Sequence, residues 1–116
     1  MTFPIFYSEH VESDIDSVLD YIVNELHNVK AAKDLFDDIS RLLEYLARTP
    51  EMFPYHENRW LAGMGIRKAN ISRYNMFYLF DGKAVYAVRF ASTLKNISSP
   101  EFINSVMQIL ERMLHS

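Results

Sequence analysis

The chain has 116 residues, of which 49% are hydrophobic and 23% charged, a composition typical of one globular domain with a core of its own. It contains no cysteine, which excludes a disulfide framework, a thiol nucleophile and a thiolate metal site. No window approaches the roughly 18 apolar residues of a membrane span, and the start has no leader pattern, so we expect a cytoplasmic protein.

Charge is distributed unevenly along the chain. Residues 1–54 hold 4 basic and 11 acidic side chains, whereas residues 55–97 hold 7 basic and 2 acidic ones. The basic region can attract an acidic partner, or the two regions can simply neutralise each other. A pI of about 5.7 disfavours tight binding to ribosomal RNA, so direct nucleic-acid binding is not expected.

The first half of the chain predicts a short strand and two helices. Residues 3–7 form an apolar run that contains a proline, which is typical of an edge strand. Ser8 is a suitable N-cap for a first helix, whose apolar positions recur at helical spacing to about Leu26. Asn28 separates this helix from a second one that ends near Arg48. The short connection predicts an antiparallel helical hairpin, with the carboxylates of the first helix on its solvent face.

A loop at residues 49–63 carries three aromatic side chains, Phe53, Tyr55 and Trp60. They either plug one edge of the core or form a patch that binds a partner. His56 lies beside an acidic residue in this loop and is the histidine best suited to acid–base chemistry. The four histidines share no metal-ligand spacing, so neither a metal nor another cofactor is expected.

The next part of the chain predicts three antiparallel strands. Asp81-Gly82 lies between hydrophobic runs, a strong signal for a two-residue type I′ hairpin turn. Such a turn predicts the cross-strand pairs Phe80–Lys83, Tyr78–Val85, Met76–Ala87 and Tyr74–Arg89.

A further strand, Met64–Ile71, is expected to turn through Ser72-Arg73 and to pair with the first strand of this hairpin. That register places Arg67 opposite Tyr78. Side chains alternate between the faces of a strand, so Arg67, Tyr74, Tyr78 and Arg89 are predicted to share one face. Both faces of the predicted sheet are largely apolar, so we expect other parts of the chain or a partner to cover each of them.

After a polar link at residues 92–99, Pro100 is suited to the first position of a final helix. This helix either covers the second face of the sheet or docks elsewhere. The predicted order is β-α-α-β-β-β-α, an α+β fold in a single domain over residues 1–116. Residues 1–97 form its core, and residues 98–116 form a C-terminal helical extension.

Three segments carry motifs whose order and spacing are more specific than any one of them. They read FYSEHVESDIDSVLDYIVNEL, NVKAAKDLFDDISRLLEYLARTP and GIRKANISRYNMFYLFDGKAVYAVRFA. Their motif positions are Asp14, Asp20 and Tyr21-Ile22, then Ala31-Ala32, Leu46 and Pro50, then Gly65, Arg67, Tyr74 and Tyr78. Over residues 3–91 the chain resembles the RelE/ParE superfamily of bacterial type II toxins.

The resemblance implies a toxin, of the plasmid-stabilisation kind, that a cognate antitoxin neutralises. It is closer to the ParE branch, whose members poison DNA gyrase. The ribonuclease branch places an arginine where this chain has Asn75, and basic residues or histidine where it has Ser92-Thr93-Leu94. The alternatives are a ribosome-dependent mRNA interferase that uses Arg67, Tyr74, Tyr78 and Lys95, or a family member that has lost toxicity.

Five residues are candidates for target or antitoxin binding: Arg67, Tyr74, Tyr78, Arg89 and Lys95. Arg67 is suited to an acidic partner or a phosphate, but it equally fits an ion pair with an acidic helix residue that anchors the fold. Four other cations fit solvated positions on the sheet edge better than they fit ligand contacts: Lys68, Arg73, Lys83 and Lys95.

Overall fold

The computed structural model describes residues 2–115, in which a four-stranded sheet lies between two helical layers. The sheet order is β1-β4-β3-β2, with β1 parallel to β4 and the other pairs antiparallel. The elements are β1 (Ile5–Tyr7), α1 (Glu9–Asn24), α2 (Val29–Arg48), α3 (Arg59–Gly63), β2 (Arg67–Ile71), β3 (Tyr74–Phe80), β4 (Val85–Ser92) and α4 (Pro100–His115). The predicted α+β order is confirmed, with α3 as an addition.

Local capping determines where the helical hairpin begins and turns. The Ser8 hydroxyl accepts a hydrogen bond from the Val11 amide at 2.9 Å, and the Asn28 side chain accepts one from the Ala31 amide at 3.0 Å. Both caps agree with the sequence prediction. The first helix ends at Asn24, two residues earlier than expected, and His27 has a positive φ of 52° in the connection.

The two faces of the sheet build two separate cores. α1 and α2 cover one face, where they bury the side chains of Val11, Ile22, Leu35, Ile39, Leu42 and Leu46 against Met76, Tyr78, Val85, Ala87 and Phe90. α4 covers the second face, where it buries Phe102, Val106, Ile109 and Leu110 against Phe77, Leu79, Val88 and Ala91. The final helix therefore takes the first of its two predicted positions. None of the helices in residues 2–115 has the length and apolar character that a membrane crossing requires.

The β3–β4 connection is longer than predicted, so the predicted register is wrong. Phe80 pairs with Val85, and residues 81–84 form a four-residue loop. The cause is the Asp81 carboxylate, whose Oδ1 accepts hydrogen bonds from the amides of Lys83 and Ala84, both at 2.8 Å. Gly82 still supplies a positive φ, of 92°, but as one part of this wider turn. Tyr78 consequently lies opposite Ala87 instead of Val85.

A β-bulge then shifts the register again. Tyr78 pairs with Ala87 and Phe77 pairs with Arg89, so Val88 is the extra residue. Beyond it, Met76 faces Phe90 and Tyr74 faces Ser92, where Ala87 and Arg89 were predicted. The bulge turns Arg89 toward α4, and Arg89 therefore does not share a face with Tyr74.

Helix α1 satisfies the backbone that the bulge leaves unpaired. The Ser8 hydroxyl donates to the Val88 carbonyl at 2.7 Å, and the Asp14 carboxylate accepts from the Phe90 amide at 3.0 Å. The same carboxylate accepts two hydrogen bonds from Arg89, at 2.7 Å from Nε and 3.0 Å from Nη2. Asp14 was predicted to face solvent with the other α1 carboxylates. That is wrong because β1 is only three residues long and leaves this stretch of β4 open to α1.

The loop that precedes β2 is more ordered than expected. The Asn58 side chain accepts from the amides of Trp60 and Leu61 and begins α3, and Leu61 is fully buried. β2 consequently begins at Arg67, three residues later than predicted. Its predicted turn is confirmed, because Ile71 pairs with Tyr74 across the two-residue turn at residues 72–73.

The Asp14–Arg89 pair yields the first prediction. Their side chains are 17% and 14% exposed, so replacing Asp14 with alanine leaves a largely buried charge without its partner. We expect Asp14→Ala to lower the free energy of unfolding by about 3 kcal/mol, measured by urea denaturation. The control is Asp16→Ala, which removes an exposed carboxylate from the same helix and should change stability little. Equal stability of the two variants would contradict a structural role for the pair.

Candidate functional site

Arg67 and Tyr78 lie opposite each other, as predicted, but in the interior. Arg67 Nη1 donates to the Phe53 carbonyl at 2.7 Å, and its guanidinium lies 4.1 Å from the centre of the Tyr55 ring. The Tyr78 hydroxyl donates to the Pro50 carbonyl at 2.9 Å, and burial raises the pKa of this phenol. Both side chains therefore hold the loop that follows α2. The acidic residue nearest to Arg67 belongs to this loop and not to a helix.

Tyr74 lies in an apolar groove at the other end of β3. Its ring stacks on Phe90 at 5.2 Å between ring centres. Two adjoining depressions share Leu26, Arg73 and Tyr74 and together define the groove. The first depression is lined in addition by Ser17, Val18, Tyr21, Ser92, Thr93 and Leu94, and the second by Ile22, Asn28, Ala31, Asp34, Leu35, Asp38 and Ser72.

The apolar side chains of the groove are unusually accessible. Tyr21 is 54% exposed, Leu26 is 56% exposed and Leu94 is 94% exposed. Exposed apolar side chains grouped around a depression are typical of protein-binding surfaces. The sequence places Tyr21 and Leu26 late in the first helix, but it does not show that Leu94, 68 residues beyond Leu26, lies beside them.

Lys95 lies at a third depression, separate from the apolar groove, which we call the polar cleft. The cleft is lined by His56, Glu57, Asn58, Lys68, Asn75, Ser92, Thr93, Lys95, Ile97 and Ser98. The Lys68 ammonium donates to the Glu57 carboxylate and holds the pKa of this carboxyl below its usual value. The sequence predicts Lys68 and Lys95 as separate edge residues, because they are 27 positions apart in the chain.

The five candidate residues do not form one site. Arg67 and Tyr78 lie together in the interior, Tyr74 lies in the apolar groove and Lys95 lies at the polar cleft. Arg89 lies between α1 and α4, bonded to Asp14 and to the Ser105 hydroxyl. In residues 2–115, no group of three His, Asp or Glu side chains is arranged to hold a metal ion.

His56 is buried in the wall of the polar cleft. Its side chain is only 1% exposed, and its ring lies 5.6 Å from the centre of the Phe77 ring. Nδ1 accepts a hydrogen bond from the Asn58 amide at 2.8 Å. Burial lowers the pKa of the imidazole and favours its neutral form, despite the nearby Glu57.

The three loop aromatics differ in how far they are buried. Phe53 is partly buried and packs against the core that α1 and α2 cover, as predicted for a side chain that plugs the core edge. Tyr55 and Trp60 are 56% and 62% exposed. Arg67 contacts the ring of Tyr55, and Arg59 contacts the ring of Trp60 at 5.4 Å, so cations lie over both rings.

Comparison with known proteins gives one family and one fold. Residues 5–97 match the family described as ParE toxin of type II toxin-antitoxin system, parDE. Among solved structures, a chain of the chromosomal ParDE TA system from P. aeruginosa is similar, with a TM-score of 0.63 and 16% sequence identity. The match covers 78% of this chain and 96% of that one, and it shows a shared fold. No curated protein sequence matches the chain.

Burial of neutral His56 predicts a pH dependence of stability. In the unfolded chain this imidazole binds a proton near its ordinary pKa of about 6.5, whereas in the folded chain it does so only at lower pH. Below about pH 6.5 the unfolded state therefore binds more protons, and stability falls as the pH falls.

This dependence can be measured by urea denaturation between pH 7.5 and 5. His56→Asn keeps an acceptor for the Asn58 amide and should show a smaller loss of stability on acidification. His10→Asn, which replaces an exposed histidine, should retain the full loss. Identical profiles for the two variants would show that His56 is not the group responsible.

Proposed function

Because the chain belongs to the ParE toxin family of type II toxin–antitoxin systems, we propose that it arrests bacterial growth by binding DNA gyrase, and that a cognate antitoxin neutralises it. The proposed place of action is the cytoplasm, where gyrase works. The observation that carries the proposal is the apolar groove, a surface suited to binding a protein.

The placement of the candidate residues supports action by binding over RNA cleavage. Catalysis by the ribonuclease alternative requires Arg67, Tyr74, Tyr78 and Lys95 to meet around one phosphodiester. Arg67 and Tyr78 instead use their polar atoms on loop carbonyls in the interior. Tyr74 and Lys95 line two different depressions. Cleavage through these four residues would need the sheet and its loop to separate.

The antitoxin is proposed to place the apolar side of an amphipathic helix in the groove. Helix-in-groove recognition uses apolar anchors a few residues apart, and Leu26, Tyr74 and Leu94 supply matching apolar contacts. Arg73, between the two depressions, offers a cation to an acidic residue of the antitoxin. Because α4 already covers the second face of the sheet, docking here does not displace that helix.

If the chain binds gyrase, it should inhibit the supercoiling activity of the purified enzyme. We expect the chain, in molar excess over gyrase, to inhibit supercoiling of relaxed plasmid, and the antitoxin added in equal amount to restore it. Normal supercoiling in the presence of excess chain would contradict gyrase as the target. New 5′ ends on ribosome-bound mRNA, mapped by primer extension, would favour the ribonuclease alternative instead.

The docking proposal predicts a local sensitivity to charge. Leu26→Asp and Leu94→Asp place a carboxylate on exposed groove positions, where a docked apolar helix would bury it. Each should weaken antitoxin binding by about 2 kcal/mol, or roughly 30-fold, in isothermal titration. The control is Leu114→Asp on α4, where the leucine is 38% exposed and lies outside the groove. Equal affinities of the three variants would place the antitoxin elsewhere, whatever the target.

A further inference from the structure

The two edges of the sheet differ in how they are covered. At the β2 edge the Lys68 amide donates to the Pro54 carbonyl at 3.4 Å, so the loop before α3 covers the start of this strand. At the other edge, β1 (Ile5–Tyr7) has β4 on one side and no strand on the other. We propose that β1 pairs with β1 of a second copy of the chain, in antiparallel orientation. The proposal goes beyond gyrase and antitoxin binding and does not depend on either.

The hydrogen-bond pattern of β1 leaves the backbone of two residues open to a neighbour. The Val85 amide donates to the Pro4 carbonyl at 2.9 Å, and in the parallel register this bond implies that both backbone groups of Phe6 are directed toward β4. The N–H and C=O groups of Ile5 and Tyr7 therefore point away from β4. Within residues 2–115 these groups have no backbone partner.

These open backbone groups define one register for the pair of strands. Antiparallel strands bond through residue pairs that exchange both hydrogen bonds, and these pairs alternate with non-bonded pairs. If Ile5 of each copy pairs with Tyr7 of the other, every open donor and acceptor is used and the two Phe6 residues lie opposite each other. A shift by two residues would require the backbone of Phe3 or Glu9 instead. The Phe3 amide already donates to a carbonyl of α2 at 2.7 Å, and Glu9 belongs to α1. The same three residues thus serve both copies, as a two-fold dimer requires.

The side chains at this edge also favour a second copy. Phe6 is 50% exposed, and its ring stacks on Tyr86 with 5.5 Å between ring centres. In the dimer the two Phe6 residues form a non-bonded pair, in which cross-strand side chains come closest, so four aromatic rings adjoin at the junction.

The β1 edge lacks the features by which edge strands usually avoid self-pairing, which include a charged side chain or a proline on the open side. Residues 2–8 contain no charged side chain, so two copies of this segment do not repel each other. Pro4 has its carbonyl, and hence its nitrogen, on the side of β4, so this proline does not block the open side.

The dimer joins two four-stranded sheets into one continuous sheet. No residue that lines the apolar groove belongs to β1, so both copies keep this groove accessible. A strand pair of three residues is small beside the roughly 20 residues that each partner contributes to an interface of standard size. We therefore expect a reversible dimer whose population rises with concentration.

Sedimentation equilibrium of the intact chain, from low to high micromolar concentration, should show a monomer–dimer equilibrium. Phe6→Lys places two ammonium groups opposite each other at the centre of the contact and should weaken dimerisation at least about tenfold. The matched control is Phe36→Lys, which makes the same change on α2, where the phenylalanine is 54% exposed, and should leave dimerisation unchanged. A monomer at every concentration, or equal dimerisation of the two variants, would overturn the proposal.

Amide hydrogen exchange of the unaltered chain tests the register without any substitution. In dilute solution the Phe6 amide should be protected by its bond to β4, while the amides of Ile5 and Tyr7 exchange rapidly. At high concentration the Ile5 and Tyr7 amides should exchange at least about tenfold more slowly.

Two results of the exchange measurement would overturn the proposal. The first is exchange of the Ile5 and Tyr7 amides that does not change with the concentration of the chain. The second is slowing of these amides only when the antitoxin is added, which would assign the β1 edge to a strand of the antitoxin. Neither experiment contains gyrase, so their failure leaves the supercoiling test independent.

Discussion

The ion pair between Asp14 and Arg89 connects the two layers of this protein. Asp14 belongs to α1 and Arg89 to β4, while Arg89 also donates to Ser105 at 2.9 Å and lies over the Phe102 ring of α4. A paired, hydrogen-bonded charge is tolerated at such low exposure, whereas a single one is not. The β-bulge makes this arrangement possible, because it turns the guanidinium away from the first core. The side chain of Arg89, a residue of the sheet, thus contacts both the helical hairpin and the final helix.

Short-range signals in the sequence predict much of the fold. The N-caps Ser8 and Asn28, and the turn that pairs Ile71 with Tyr74, depend on residues within a few positions of each other. No such signal marks the bulge at Val88. The predicted pairs assume that side chains alternate along an uninterrupted strand ladder, and the bulge breaks this alternation. Asp14 has the spacing of a solvated helix residue, and only the tertiary structure shows that β4 needs it. At both register errors a carboxylate accepts hydrogen bonds from backbone amides, that of Asp81 in the turn and that of Asp14 beside the bulge.

The candidate site could be predicted only in part. The resemblance identified the family, and residues 5–97 match it, but it did not show which surface each residue occupies. Arg67 and Tyr78 bind carbonyl groups of a loop, and a carbonyl is present at every residue, so no sequence pattern marks it. The apolar groove and the polar cleft are each formed by segments that are distant in the chain. Their residues are of ordinary types, so no sequence pattern marks them. Of the five residues, Tyr74 lines the apolar groove and Lys95 lines the polar cleft.

The uneven distribution of charge also affects how the molecule approaches others. Arg89 is neutralised by Asp14 and Lys68 by Glu57, but Arg59, Arg73, Lys83 and Lys95 form no ion pair within residues 2–115. The acidic side chains of α1 and α2 remain mostly exposed. The molecule is therefore an electric dipole, and a polyanion such as DNA repels its helical hairpin and attracts its strands and their loops. Within about 8 Å, the Debye length at physiological salt, this field biases the orientation in which the protein arrives before any contact forms.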